Sequence, residues 1–197
     1  MTFKKYVLAA AVMAVMSGSA MATDAPSDTG TIKFQGLVNS GTCAVTMPDA
    51  STQDGNDFTV KLATVDVADF AANTKSANST ASTLGETPFK LHIVCDTTKD
   101  IESVAAQLDP WSGATASNEG LLVPASNLQG GAKDVALVLR NGVGGAQIKM
   151  GETNSGTATD LSDDGVADLN YAVAYSGPAT ATSGKVEAQV AFTLDYE

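Results

Sequence analysis

The last fourteen residues, Gly184 to Glu197, constrain the fold more than any other stretch of the chain. Val186, Ala188, Val190, Phe192, Leu194 and Tyr196 fall on one face without a break, while Lys185, Glu187, Gln189, Thr193 and Asp195 take the other. A period of two marks a strand with one side on a core and the other in water. This strand is still strongly apolar where the chain stops. Its edge is therefore exposed unless something else covers it, and an open edge invites association.

The rest of the chain repeats this pattern in shorter pieces. Gly30, Ile32, Phe34, Gly36 and Val38 alternate with Thr31, Lys33, Gln35 and Leu37. Phe58 to Leu62 and Phe89 to Cys95 alternate again, and Ile101 to Leu108, Gly120 to Val123, Val135 to Arg140, Gln147 to Met150 and Asn170 to Tyr175 are further β-type runs. Turn chemistry separates them: Asp109-Pro110, Gly130-Gly131, Asn141-Gly142, Gly144-Gly145, Asn154-Ser155-Gly156, Asp164-Gly165 and Gly177-Pro178. Ala63 to Thr83, rich in Ala, Ser, Thr and Asn, reads as loop with one short helical turn around Val67 to Ala72. Many short strands between such turns predict an all-β sandwich of immunoglobulin type, and the absence of a repeat of 20 to 50 residues removes solenoids and propellers.

The first 22 residues are read as a secretory signal peptide rather than as part of the fold. Lys4 and Lys5 form a positive start, Tyr6 to Met16 is an apolar run too short to span a bilayer, and Ala20-Met21-Ala22 is an A-x-A cleavage site. Cleavage after Ala22 would leave 175 residues, enough for one domain with a proper core, and would shift the formal charge from −11 to −13. So acidic a chain, with scattered Lys and Arg, lacks the basic stripe of a nucleic-acid binder and the polybasic cluster that holds an anionic membrane. Thr23 to Thr29 is small, polar and Pro-containing, a leader before the first strand.

Two cysteines in an exported chain imply one disulfide, Cys43 with Cys95, closing a loop of about 50 residues that would contribute roughly 4 kcal/mol on the chain-entropy model. Nothing points to an enzyme or a cofactor. His92 is the only histidine, it lies on the polar side of its strand, and no nucleophile motif accompanies it. Asp160 to Asp168 imitates the start of an EF-hand loop, but Tyr171 stands where a bidentate Glu is needed, so the segment reads as an acidic turn. Asn78-Ser79-Thr80 fits a glycosylation triplet inside a Ser/Thr-rich loop. Trp111, after Asp109-Pro110, reads as a partly buried loop aromatic, with sugar stacking as the alternative.

Taken together, the two ends carry a resemblance. The penultimate Tyr196, Gly184 at the fourteenth place from the end and the apolar alternation between them resemble the C-terminus of pilins of the chaperone-usher pathway, in the type 1-like fimbrial major subunit family. Thr23 to Thr42 is similar to the N-terminal extension of that family. Gly36-Leu37-Val38 leading to Cys43-Ala44-Val45, and the strand closing at Cys95, look like the opening and the second disulfide strand of a pilin domain. The resemblance spans essentially the whole chain.

What the resemblance implies is an incomplete immunoglobulin-like sandwich, one strand short, completed by donor-strand exchange. The chain would divide into a signal peptide (1–22), a donor extension (23–36) and a pilin domain (37–197). Gly30, Ile32 and Phe34 would be the donor positions. Gly184, Val186, Ala188, Val190, Phe192, Leu194 and Tyr196 would form the groove strand, recognised by a periplasmic chaperone. An outer-membrane usher and neighbouring subunits would be the other partners, and the product a non-covalent fimbria on the bacterial surface supporting cell adhesion. The alternative is a minor or tip subunit, or a secreted immunoglobulin-like module, that binds a host glycan or protein.

Overall fold

The computed structural model describes the backbone of residues 30–36 together with residues 43–72, 83–96, 101–150 and 157–197. The expected signal segment with its cleavage site, the expected leader Thr23 to Thr29, the expected boundary at residue 37, Asn78-Ser79-Thr80 and Asn154-Ser155-Gly156 lie outside those residues, as do the side chains of 30–36.

Along the chain run β1 (Gly30–Gly36), β2 (Cys43–Thr46), β3 (Thr52–Asp54), β4 (Asp57–Lys61), α1 (Ala68–Ala72), β5 (Thr83–Cys95), β6 (Ser103–Trp111), β7 (Thr115–Ala116), β8 (Leu122–Val123), β9 (Ala136–Arg140), β10 (Gln147–Ile148), β11 (Thr159–Asp160), β12 (Val166–Ser176) and β13 (Val186–Tyr196). Among the described residues they form two sheets. One has the order β11-β6-β13-β1-β4-β3; the other runs β2-β5-β12-β9-β8-β7, with β10 on β9. The fold is thus all-β, as the alternation predicts.

Each sheet turns one apolar side inward. Phe58, Val60, Leu108 and Phe192 from the first sheet, and Leu91, Ile93, Leu122, Leu137, Leu139 and Ile148 from the second, are the largest fully buried side chains. Removing a side chain of this size from water contributes about 1.5–3 kcal/mol. The two sheets are therefore held face to face mainly by these residues.

The centre of the second sheet is the long ladder between β5 and β12, from Val166 opposite Val94 to Ser176 opposite Thr83, with a shift in register between Val173 and Tyr175. Gly85 sits at that irregularity with φ 63°, and an added Cβ there would lie 2.6 Å from Val65 Cγ1. Only glycine suits both the left-handed backbone and the missing space. At the other end of β5 the disulfide joins Cys43 to Cys95, which are directly paired across the β2–β5 ladder. The expected helical turn is α1. Asp66 Oδ1 accepts a hydrogen bond from Ala68 N at 2.9 Å at its start, and Phe70 is buried beneath it.

Two expectations about residues 109–111 are corrected. Asp109-Pro110 is not a turn: both residues lie within β6, Asp109 opposite Ala191 and Pro110 opposite Val190. Proline is accommodated because β11 pairs only with Val104 and Ser103, so at Pro110 one side of β6 is a free edge where no ladder donor is required. The chain turns later, at Ser112 (φ 53°) and Gly113 (φ 86°), where Ala114 N donates to Trp111 O at 3.3 Å. Trp111 accordingly ends a strand rather than lying in a loop, and it is 50% exposed.

The outermost strands of both sheets are short. β11 and β7 have two residues each, β3 has three and β2 has four.

Candidate functional site

β13 is the strand on which the sequence argument rests, and its side chains divide as the alternation requires. Val186, Ala188, Val190, Phe192 and Leu194 are buried, and Tyr196 packs against the core in part. Lys185, Glu187, Thr193 and Asp195 are exposed, and Gln189 is half-buried. Burial without a polar partner pushes the Tyr196 phenol above its ordinary range, and among the described residues its hydroxyl has no hydrogen-bond partner. The chain end is tied down beyond it: Glu197 O accepts from Glu102 N at 2.6 Å and from Ser103 N at 2.9 Å.

β13 has a neighbour on both sides, so its expected open edge is closed here. β6 pairs with it antiparallel, from Gln189 opposite Trp111 to Tyr196 opposite Val104. On the other side lies β1, the chain's own N-terminal segment, running parallel from Gly30 opposite Val186 to Gly36 opposite Phe192. β1 in turn pairs antiparallel with β4, Thr31 opposite Lys61 through Gln35 opposite Asp57. Gly30, Ile32 and Phe34 therefore take register positions beside Val186, Ala188 and Val190. On the other side Ile32 and Phe34 stand opposite Val60 and Phe58 of β4, which are buried.

The second wall of this slot, β4, was not singled out in the sequence. Its signal was present, since Phe58 and Val60 alternate with Thr59 and Lys61, but nothing local says which strand lies two places from β13. That relation is set by long-range pairing.

Gly184 has a specific structural reason. An added Cβ would run into Ala132 N and lie 2.6 Å from Gly131 C and 2.7 Å from Gly130 O. The close approach is fixed by Lys185, whose N–H donates to Gly130 O and whose carbonyl accepts from Ala132 N, both at 2.9 Å. Just past Gly30's partner Val186 is a small apolar cavity of about 30 Å³, lined by Val65, Val67, Phe70, Val135, Tyr175 and Val186.

The remaining candidates resolve as surface structure. Asp168 accepts from Lys90 Nζ at 2.9 Å and from the His92 ring at 2.6 Å, so the single histidine belongs to an ion cluster on the outer side of the β5–β12 ladder. The acidic segment before it is a tight turn. Gly165 N donates to Ser162 O at 2.8 Å and Val166 N to Ser162 Oγ at 3.1 Å. Among the described residues no group of three His, Cys, Asp or Glu is placed to hold a metal ion.

Residues 32–197 match the family model described as fimbrial protein. The major fimbrial subunit SMF-1 of Stenotrophomonas maltophilia (strain K279a) is 34% identical over 177 residues, covering 85% of this chain and 92% of that one. The F17 fimbrial protein of Escherichia coli is 31% identical over 176 residues, covering 85% and 87%. Among solved structures, the P pilus rod subunit PapA superposes with a TM-score of 0.54 at 16% identity, over 80% of this chain and 100% of that one, which shows a common fold. With the family match running from within β1 to the last residue of the chain, this protein belongs to the fimbrial protein family and is a fimbrial subunit.

Proposed function

We propose that the chain is a structural subunit that polymerises non-covalently by placing its N-terminal strand in the groove of a neighbouring copy. The observation that carries this reading is the position of β1. It is an interior strand of its sheet, between β13 and β4, yet it is supplied by the beginning of the chain. Without it, both neighbours would present unpaired backbone groups, and the apolar side chains between them would face water. An equivalent strand from a second copy restores the same pairing, which is the strand-addition mode of binding. Because the donated strand and the groove are different surfaces, the contact is head-to-tail and generates an open fibre.

On this reading Gly30, Ile32 and Phe34 are the donor positions, and Gly184 with the alternate residues Val186 to Tyr196 forms the groove strand. A chaperone would cover the groove after export and removal of residues 1–22, an outer-membrane usher would pass the subunit to the surface, and the fimbria would support adhesion. No bond is made or broken, so no catalytic residue is required.

The test is deletion of residues 23–36 in cells supplying chaperone and usher. The truncated subunit is expected to be captured by the chaperone and to form no SDS-resistant ladder, while a synthetic peptide of residues 23–36 restores a cooperative melt. A truncated chain that melts as sharply and as high as the full one, with no peptide added, overturns the reading.

A further inference from the structure

A gap in the first sheet lies beside Trp111. β6 leaves β13 after Trp111, opposite Gln189, because the chain turns at Ser112 and Gly113. The next backbone contact on that side of β13 is the parallel bridge between Gly131 and Lys185. Glu187 lies between these two contacts. Strand periodicity turns its N–H and C=O the same way as those of Lys185, away from β1, and among the described residues nothing pairs with them there. The gap opens as a cleft of about 250 Å³ whose lining includes Ser112, Asn127, Leu128, Glu187 and Gln189. Both immediate neighbours of Trp111, Ser112 along the chain and Gln189 across the ladder, are part of that lining.

Trp111 itself is not among the lining residues but stands next to them, half exposed, and we propose that the cleft, with this neighbouring indole at its rim, binds an uncharged pyranoside. A pyranose ring offers an apolar C–H face to an exposed indole and hydroxyls that both donate and accept. The cleft supplies matching groups: the amides of Asn127 and Gln189, the hydroxyl of Ser112, the Glu187 carboxylate and the unpaired backbone N–H and C=O of Glu187. Charge decides against anionic ligands, since a carboxylate lines the site and the protein carries a formal charge of −11. A peptide strand is disfavoured because a single unpaired residue offers too short an edge for strand addition. One such site would be weak, with a Kd on the order of 1 mM, and repetition along a polymer would convert it to avidity. The site does not depend on how subunits are joined.

The chain contains one tryptophan, so its emission reports from the rim of this site. The folded full-length protein is titrated with methyl glycosides of glucose, galactose, mannose and N-acetylglucosamine, followed by tryptophan fluorescence and by saturation-transfer NMR on the sugar. At least one glycoside is expected to shift the emission saturably at millimolar concentration. Asn127→Ala, with an unchanged melting temperature, is expected to weaken that binding about three- to tenfold, the loss of one hydrogen bond. Trp111→Ala is expected to abolish the NMR contact. The proposal is overturned if no glycoside changes the emission at tens of millimolar, or if the sugar contacts persist in both variants.

Discussion

Phe58 of β4 and Phe192 of β13 stack with ring centroids 6.1 Å apart and planes inclined at 26°, although β1 runs between their strands. Register explains how. Phe58 stands opposite Phe34 of β1, and Phe192 stands opposite Gly36 two positions further on, so the rings meet diagonally across the strand that separates them. Both side chains are within the core. The walls of the slot are thereby held to each other as well as to the strand they enclose.

Phe192→Ala is expected to destabilise the folded protein by about 3–5 kcal/mol, because it removes a fully buried ring and leaves Phe58 without its stacking partner. Urea denaturation of the two proteins measures this. A loss below about 1 kcal/mol would show that the slot does not depend on the cross-strand contact.

Gly184→Ala tests the close approach of residues 130–132. The added methyl meets backbone atoms rather than the end of a flexible side chain, so the 130–132 segment has to move and its two hydrogen bonds to Lys185 are strained. The expected cost is about 1–3 kcal/mol, read as a lower melting temperature together with faster amide exchange at Lys185 and Ala132. Unchanged exchange at both amides would contradict the steric argument.

Replacing both cysteines by serine is expected to cost about 2–5 kcal/mol. The bridge spans a sequence separation of 52 and fastens β2, a strand of only four residues at the edge of its sheet, to the long β5. Global stability should fall, and amide protection across Cys43 to Thr46 should fall further. Equal protection losses throughout the second sheet would mean that β2 is held by its ladder alone.

The Asp168 cluster makes a signed prediction about pH. The hydrogen bond from Lys90, and after it that from His92, hold the Asp168 carboxyl below its ordinary value of 3.8, against a smaller opposing effect of burial. A carboxyl lowered in the folded state contributes stability that is present above the unfolded value and lost as the pH falls through the folded one. For Lys90, the hydrogen bond to Asp168 acts first and raises the ammonium above 10.5, so its contribution is present below that value and lost as the pH rises through the folded one. The side chains of Lys90 and Asp168 are 33% and 39% exposed, which keeps the effect small. Asp168→Asn should flatten both limbs of a plot of melting temperature against pH, and an acid limb identical to that of the unsubstituted protein would contradict the assignment.

What could be read from the sequence follows the range of the interactions involved. Period-two alternation is local, so β13, β4 and the buried side of β5 were legible residue by residue, and Gly184 was recognisable by its place although its steric reason was not. Asp109-Pro110 misled because the dipeptide has the chemistry of a turn; only the free side of β6, a property of the assembled sheet, makes proline acceptable there. Trp111 was misplaced for the same reason. The partnership of β1 with both β13 and β4, and the cleft beside Glu187, depend on contacts between segments well separated in the chain, from Gln35 with Asp57 to Gly30 with Val186, about which local pattern carries no information.

The brevity of the four outermost strands has a consequence for how copies of this protein pack side by side. Rims of two to four residues offer few main-chain donors and acceptors, and the longer free side of β6 beyond β11 is interrupted by Pro110, which has no N–H to donate. Contacts between adjacent filaments are then made mainly by side chains, many of them acidic, and bundling should become easier as added salt masks that repulsion.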